Sequence, residues 1–227
     1  RDYPQSIFYQ SAWYREYPLI ENHFARVNLA LTQGRPVCRI GVIHPLESLW
    51  LHCGPTEQNQ KDIDRIEKNW ENVTEWLLFG GYDFDFISES MLIPLYSGEG
   101  APLQVGKEHY DVVVVPECET LRRSTMECLR KFRNAGGTIV FAGEIPVMVD
   151  AIPSAAPADL ANTCVRIPLE KSEMRSALRP FRDIQIQNMD AVQRNICIRC
   201  VRTPMEDGYF WPAGKRKGTR RPRKTSA

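Results

Sequence analysis

Tyr110-Asp111-Val112-Val113-Val114-Val115-Pro116-Glu117 decides how the rest of the chain is read. Four consecutive β-branched residues favour a pleated strand. No polar residue alternates with them, so both faces of that strand need cover, which is the mark of a parallel sheet with helices on each side. Downstream, Leu121, Met126, Leu129 and Phe132 give a helical apolar face, predicting a helix over 120–135 that Gly136-Gly137 closes. Thr138 to Ala142 then reads as another strand, ending at Gly143-Glu144.

Upstream the same alternation holds. Asp83 to Ser88, with Phe84, Phe86 and Ile87, predicts a strand, and the Pro- and Gly-rich stretch 93–103 predicts a loop. Thr56 opens a long helix to about Phe79, with Ile63, Ile66, Trp70, Val73 and Leu77 inward and Gly80-Gly81 as its stop. Val37 to Ile43 is a short buried strand, with 44–52 as a loop after it. Tyr17, Ile20, Phe24, Val27 and Leu31 mark an earlier helix from Trp13 to about Gln33. This order implies a three-layer α/β domain with a mostly parallel sheet over 34–152.

Beyond it the pattern changes. Residues 153–163 are Ala- and Pro-rich and read as a linker. Residues 164–211 read as the start of a β-domain, with a short helix near 170–178 and strands near 183–187, 195–202 and 208–211. Residues 212–227 read as a basic, unstructured tail, with seven basic groups and no acid between 215 and 224. Those seven outweigh the whole-chain charge of +1, so the rest of the protein is acidic and a nucleic-acid partner is not expected. No stretch of about 18 apolar residues occurs, so no membrane partner is expected either. The chain starts at Arg1 and its first Met is Met91, which makes a piece of a longer protein the expectation.

In open α/β sheets ligands gather at the carboxyl ends of the strands. The four predicted strand ends each carry a glutamate: Glu47, Glu89, Glu117 and Glu144. Carboxylates collected there could hold a cation or a sugar hydroxyl, or act as an acid/base pair in glycoside hydrolysis. Polar residues also simply follow buried strands. No phosphate-cradling G-x-G-x-x-G or G-x-x-x-x-G-K-[ST] is present, and no G-x-S-x-G elbow, so no cofactor is expected. Cys118, with His109 before it, is a candidate nucleophile only if its thiol is exposed. Cys197 and Cys200 lack a second ligand pair for zinc, and His44 and His52 have no coherent ligand face, so no metal site is expected. Asn72-Val73-Thr74 matches a glycosylation acceptor but falls inside a helical pattern.

Several longer segments carry a resemblance. They are Tyr14-Arg-Glu-Tyr, Asn22-His-Phe-Ala-Arg-Val-Asn, Arg39-Ile-Gly-Val-Ile-His-Pro-Leu-Glu-Ser, Asn72-Val-Thr-Glu-Trp-Leu-Leu-Phe-Gly, Asp83-Phe-Asp-Phe-Ile-Ser-Glu-Ser, and Tyr110 through Phe141-Ala-Gly-Glu. Over roughly residues 1–203 the chain resembles large microbial glycoside hydrolases of the rhamnosidase and family forty-two β-galactosidase type. The resemblance implies a catalytic barrel upstream, with 1–33 as the helical exit from it. It implies a flavodoxin or class I glutamine amidotransferase-like domain over 34–152, which serves trimerisation in such enzymes, and a β-sandwich after it. An active amidotransferase keeps a Cys in the turn after the strand resembling Thr138 to Ala142, and here that turn reads Phe141-Ala-Gly-Glu-Ile. The family's catalytic carboxylates lie in the barrel, so no catalytic residue carries over. The expected role is a non-catalytic structural or oligomerisation domain. Its implied partners are the barrel of the parent chain, other copies of itself and the parent's carbohydrate substrate. The alternative is an independent α/β enzyme using the strand-end glutamates or Cys118.

Overall fold

The structure is a computed structural model that describes residues 8–54, 56–98, 100–184, 201–202 and 209–210. The chain divides into two compact units, Arg1–Val37 with Arg199–Pro212, and Cys38–Ile198 with Ala213–Ala227.

In the first unit, helix α1 (Tyr17–Leu31) buries none of its side chains. Its apolar residues Leu19, Ile20, Phe24 and Leu29 are all exposed. Arg35–Pro36 pairs antiparallel with Val201–Arg202, which pairs antiparallel with Tyr209–Phe210. Those two short strands fall within the strands predicted over 195–202 and 208–211. The remainder of those predictions, with Cys197, Cys200 and the basic tail, lies outside the described residues.

The second unit holds the α/β sheet. Its strands are β1 (Ile40–Ile43), β2 (Phe84–Ile87), β3 (Val112–Pro116), β4 (Thr138–Ala142) and β5 (Val165–Ile167). All four neighbouring pairs run parallel, in the order β2-β1-β3-β4-β5. The four valines behave as their composition requires, since Val112 to Val115 are each at most 1% exposed. Alternation sends them to opposite faces. Val113 and Val115 pack in one core with Leu92, Met126, Leu129, Phe132 and Leu160. Val112 and Val114 pack in the other with Val73, Leu77, Met174 and Leu178.

These contacts define the outer layers. Helices α3 (Thr56–Leu78) and α7 (Lys171–Leu178) cover one face. Helices α4 (Glu89–Leu95), α5 (Arg123–Asn134) and α6 (Ala156–Ala161) cover the other. The result is a three-layer α/β fold with the flavodoxin-like strand order.

Four expectations need correction. Residues 153–163 are not a linker: α6 lies there, and Leu160 and Ala161 are buried against α5. The sheet does not end at residue 152, because β5 adds a fifth parallel strand beside β4 and α7 packs on the α3 face. Residues 165–178 therefore belong to the α/β unit, not to a following β-domain. Loops were expected after β1 and over 93–103, but α2 (Leu46–Leu51) follows β1, α4 runs on to Leu95, and Leu103–Val105 pairs with Glu108–Tyr110. Finally, Thr120–Leu121 is not the first turn of α5 but a short strand parallel to Met148–Val149.

Candidate functional site

The strand order reverses between β1 and β3, since β2 lies on one side of β1 and β3 to β5 on the other. A crevice at the carboxyl ends of such a pair is where open α/β sheets bind ligands. The segment after β1 carries α2 and the segment after β3 runs from Glu117 to Arg122. One buried hydroxyl joins them: Ser48 Oγ accepts from Glu119 N at 2.9 Å and Thr120 N at 3.2 Å.

Two carboxylate clusters flank that junction. In the first, Glu117 and Glu119 turn to α3, where Arg65 spans both, with Nη1 2.7 Å from Glu117 Oε1 and Nη2 2.8 Å from Glu119 Oε1. His52 Nε2 lies 2.9 Å from Glu119 Oε2, while its Nδ1 is 3.9 Å from Asp62. Gly143, with φ of +95°, lets the β4 turn approach, because a Cβ there would lie 2.9 Å from the Glu117 side chain.

In the second, Arg122 bridges Glu47 and Glu89. Its Nε donates to Glu47 Oε1 at 2.7 Å and its backbone N donates to Glu89 Oε2 at 2.8 Å. Glu89 is 1% exposed. Burial pushes its carboxyl up to about 7; the Thr125 hydroxyl and the Arg122 amide oppose this, and the adjacent Glu47 adds to it. The remaining oxygens, Glu47 Oε2 and Glu89 Oε1, are both buried without a hydrogen-bond partner. A proton kept on Glu89 and donated to Glu47 accounts for both, as like charges in a dry site cannot both ionise.

Cys118 lies between the clusters and is buried. Burial first, then the charges of Glu89, Glu117, Glu119 and Glu47, push its thiol well above the ordinary range. A thiol held neutral is a poor nucleophile. His109, its suggested partner, is exposed in the strand Glu108–Tyr110 of the 103–110 hairpin and makes no hydrogen bond to it. Glu144 is exposed and has no hydrogen-bond or ion-pair partner among the described residues, so it joins neither cluster. His44 packs against Trp70 with ring centroids 4.5 Å apart and the rings tilted by 46°, and burial lowers its pKa against the pull of Glu47. Asn72 lies within α3, as its helical pattern implied. Among the described residues no group of three or more His, Cys, Asp or Glu side chains is placed to hold a metal ion, and no helix is long and apolar enough to cross a membrane.

Beside the second cluster a cleft of about 340 Å³ opens at the crest. Glu47, Trp50 and Leu51 line it from α2, Thr120, Leu121 and Arg122 from the segment after β3, and Asp150 and Ala151 from the turn after Met148–Val149. Glu89 does not line it. In this cleft the sequence pointed to Glu47 and not to Arg122 or Asp150, and in the first cluster it did not point to Arg65. One signal for a cation was present: Glu117 and Glu119 lie two apart just after a strand, a spacing that brings two like charges close together. No family model, curated protein or solved structure matches the chain.

Proposed function

We propose that this chain is a non-catalytic structural or oligomerisation module of a carbohydrate-active glycoside hydrolase. The observation that carries the reading is the state of the crest carboxylates. Arg65 is ion-paired with Glu117 and Glu119, Arg122 with Glu47, and Glu89 is buried. General acid/base catalysis needs two groups within reach of one substrate. Here three glutamates already serve as internal struts, and Cys118 is buried. The exposed apolar residues of α1 support docking onto another protein surface, the catalytic barrel of the parent enzyme.

The test is hydrolysis of aryl glycosides by the isolated chain, beside sedimentation over a range of concentrations. The expected result is no turnover and reversible self-association. Turnover abolished by Glu117→Gln or Glu144→Gln would overturn the non-catalytic reading, and a monomer at every concentration would remove the oligomerisation role.

One observation favours a second reading, an independent glycosidase. Glu47 and Glu89 are adjacent carboxyls, and burial raises the proton affinity of Glu89, as a general acid requires. It demands that Glu89 reach substrate, so turnover lost in Glu89→Gln is its distinguishing result.

A further inference from the structure

We propose that the crest cleft beside α2 binds a neutral polyhydroxylated ring, a monosaccharide unit, laid on Trp50 and hydrogen-bonded by Arg122 and Asp150. The proposal stands on the cleft itself and does not depend on the module reading above.

Size and lining come first. About 340 Å³ is at the small end of ligand sites, enough for one ring. Leu51, Leu121 and Ala151 supply apolar wall, and Trp50 also lines the cleft and is 53% exposed. A large aromatic side chain left half in water beside a concavity favours a ligand with an apolar face of its own.

Charge then selects the ligand class. Each ionised group on the rim already has an opposite partner: Glu47 has Arg122 at 2.7 Å, and Asp150 has Arg123 at 3.3 Å. An anion entering here is repelled by Glu47 and Asp150, and a cation by Arg122 and the neighbouring Arg123. A neutral ligand meets neither repulsion. Hydrogen-bonding capacity nevertheless remains. Arg122 commits Nε to Glu47, and its two terminal NH₂ groups make no hydrogen bond among the described residues. The Asp150 carboxylate accepts only from Arg123, leaving lone pairs free. Donors and acceptors side by side suit vicinal hydroxyls, each of which both accepts and donates.

The wall is also set in advance. Asp150 and Ala151 both adopt left-handed backbone, with φ of 52° and 61°. Three hydrogen bonds hold them there: Asp150 N to Leu121 O at 2.9 Å, Ala151 N to Thr120 Oγ1 at 3.0 Å, and Arg123 N to Asp150 Oδ1 at 2.9 Å. Left-handed backbone is sterically disfavoured for alanine. Strain of this kind, held by surrounding bonds, collects at ligand sites.

The experiment titrates the full chain with glucose, galactose, rhamnose and xylose, and with inorganic phosphate and methylammonium as charged probes. Binding is followed by ligand-observed NMR and tryptophan fluorescence. At least one neutral sugar is expected to saturate, with Trp50→Ala weakening it about tenfold and Trp50→Phe keeping most of the affinity. Asp150→Asn, which tolerates the same backbone, is expected to weaken it as well and serves as the reading variant if Trp50→Ala fails to fold. Failure of all four sugars to saturate would overturn the proposal. So would saturation unchanged in both Trp50→Ala and Asp150→Asn, or saturation by phosphate or methylammonium alone. None of these outcomes depends on glycoside turnover or on self-association, so the two readings fail separately.

Discussion

Single side chains decide how the crest is built, and three of them can be tested one at a time. Ser48 Oγ takes the amides of Glu119 and Thr120 and is fully buried. Ser48→Ala leaves both donors without that acceptor and is expected to lower unfolding stability by about 1–3 kcal/mol in denaturant melts. Ala151 is the opposite case. Its φ of 61° suits glycine, so Ala151→Gly is expected to raise stability by roughly 0.5–1 kcal/mol in the same melts, relief of strain exceeding the added chain entropy. Glu89 makes stability depend on pH. Its carboxyl titrates near 7 in the folded protein against an ordinary 4.5, under burial and with Glu47, Arg122, Thr125 and Cys118 around it. Between those values the folded state keeps a proton that the unfolded state has lost. Glu89 therefore contributes most stability below about pH 4.5, loses it as pH rises towards 7, and contributes no further slope above, a change of about 3 kcal/mol at most. Glu89→Gln keeps an acceptor for the Arg122 amide and a donor for Glu47 without titrating. Thermal melts across pH 5–8 should show the variant flatter than the parent and more stable at pH 8; parallel profiles would remove the buried proton.

Element boundaries were legible wherever a strand or helix carried enough apolar residues to show its period. β3 and β4 stand over Val112–Pro116 and Thr138–Ala142, close to where β-branched composition placed them, and α3 runs from Thr56 to Leu78 against an expected end near Phe79. The misses share a cause. α2 and α6 have six residues each, β5 has three with an arginine in the middle, and α4 contains Pro94, so none displays a full period. Their order comes from tertiary burial, which a local pattern does not carry. Helix α6 tests that account. In a linker Leu160→Ala changes nothing, but here Leu160 is 6% exposed in the core with Phe132 and Leu129. The substitution is expected to cost about 2 kcal/mol or more, read as a shifted denaturant midpoint at constant slope. The candidate site was legible to the same depth. Strand ends located Glu47, Glu89 and Glu117 at the crest, but their arginine partners, Arg122 for Glu47 and Arg65 on α3 for Glu117, did not show in the local pattern. Only the packed fold brings those charges together.

At the scale of the whole α/β unit, the question is where the cooperative structure stops. An end at residue 152 leaves β4 as the sheet edge and strips the α3 face of Met174 and Leu178, both fully buried. It also removes the Arg175 carbonyl that accepts from Tyr82 Oη at 3.1 Å, and the Ile167 carbonyl that accepts from Gly143 N at 2.9 Å. The second of these fixes the turn against Glu117, so the loss propagates to the crest. Burying two such apolar side chains contributes about 1.5–3 kcal/mol each, a large share of the 5–15 kcal/mol that holds a typical domain. A chain ending after Ile152 is therefore expected to lose its cooperative melt and to expose the edge of β4 to aggregation. A chain ending after Ile184 keeps β5 and α7 and is expected to melt cooperatively, with amide hydrogens of β3 and β4 protected from exchange. Equal protection in the two chains would return the boundary to residue 152, and with it the reading of 164–178 as part of a separate β-domain.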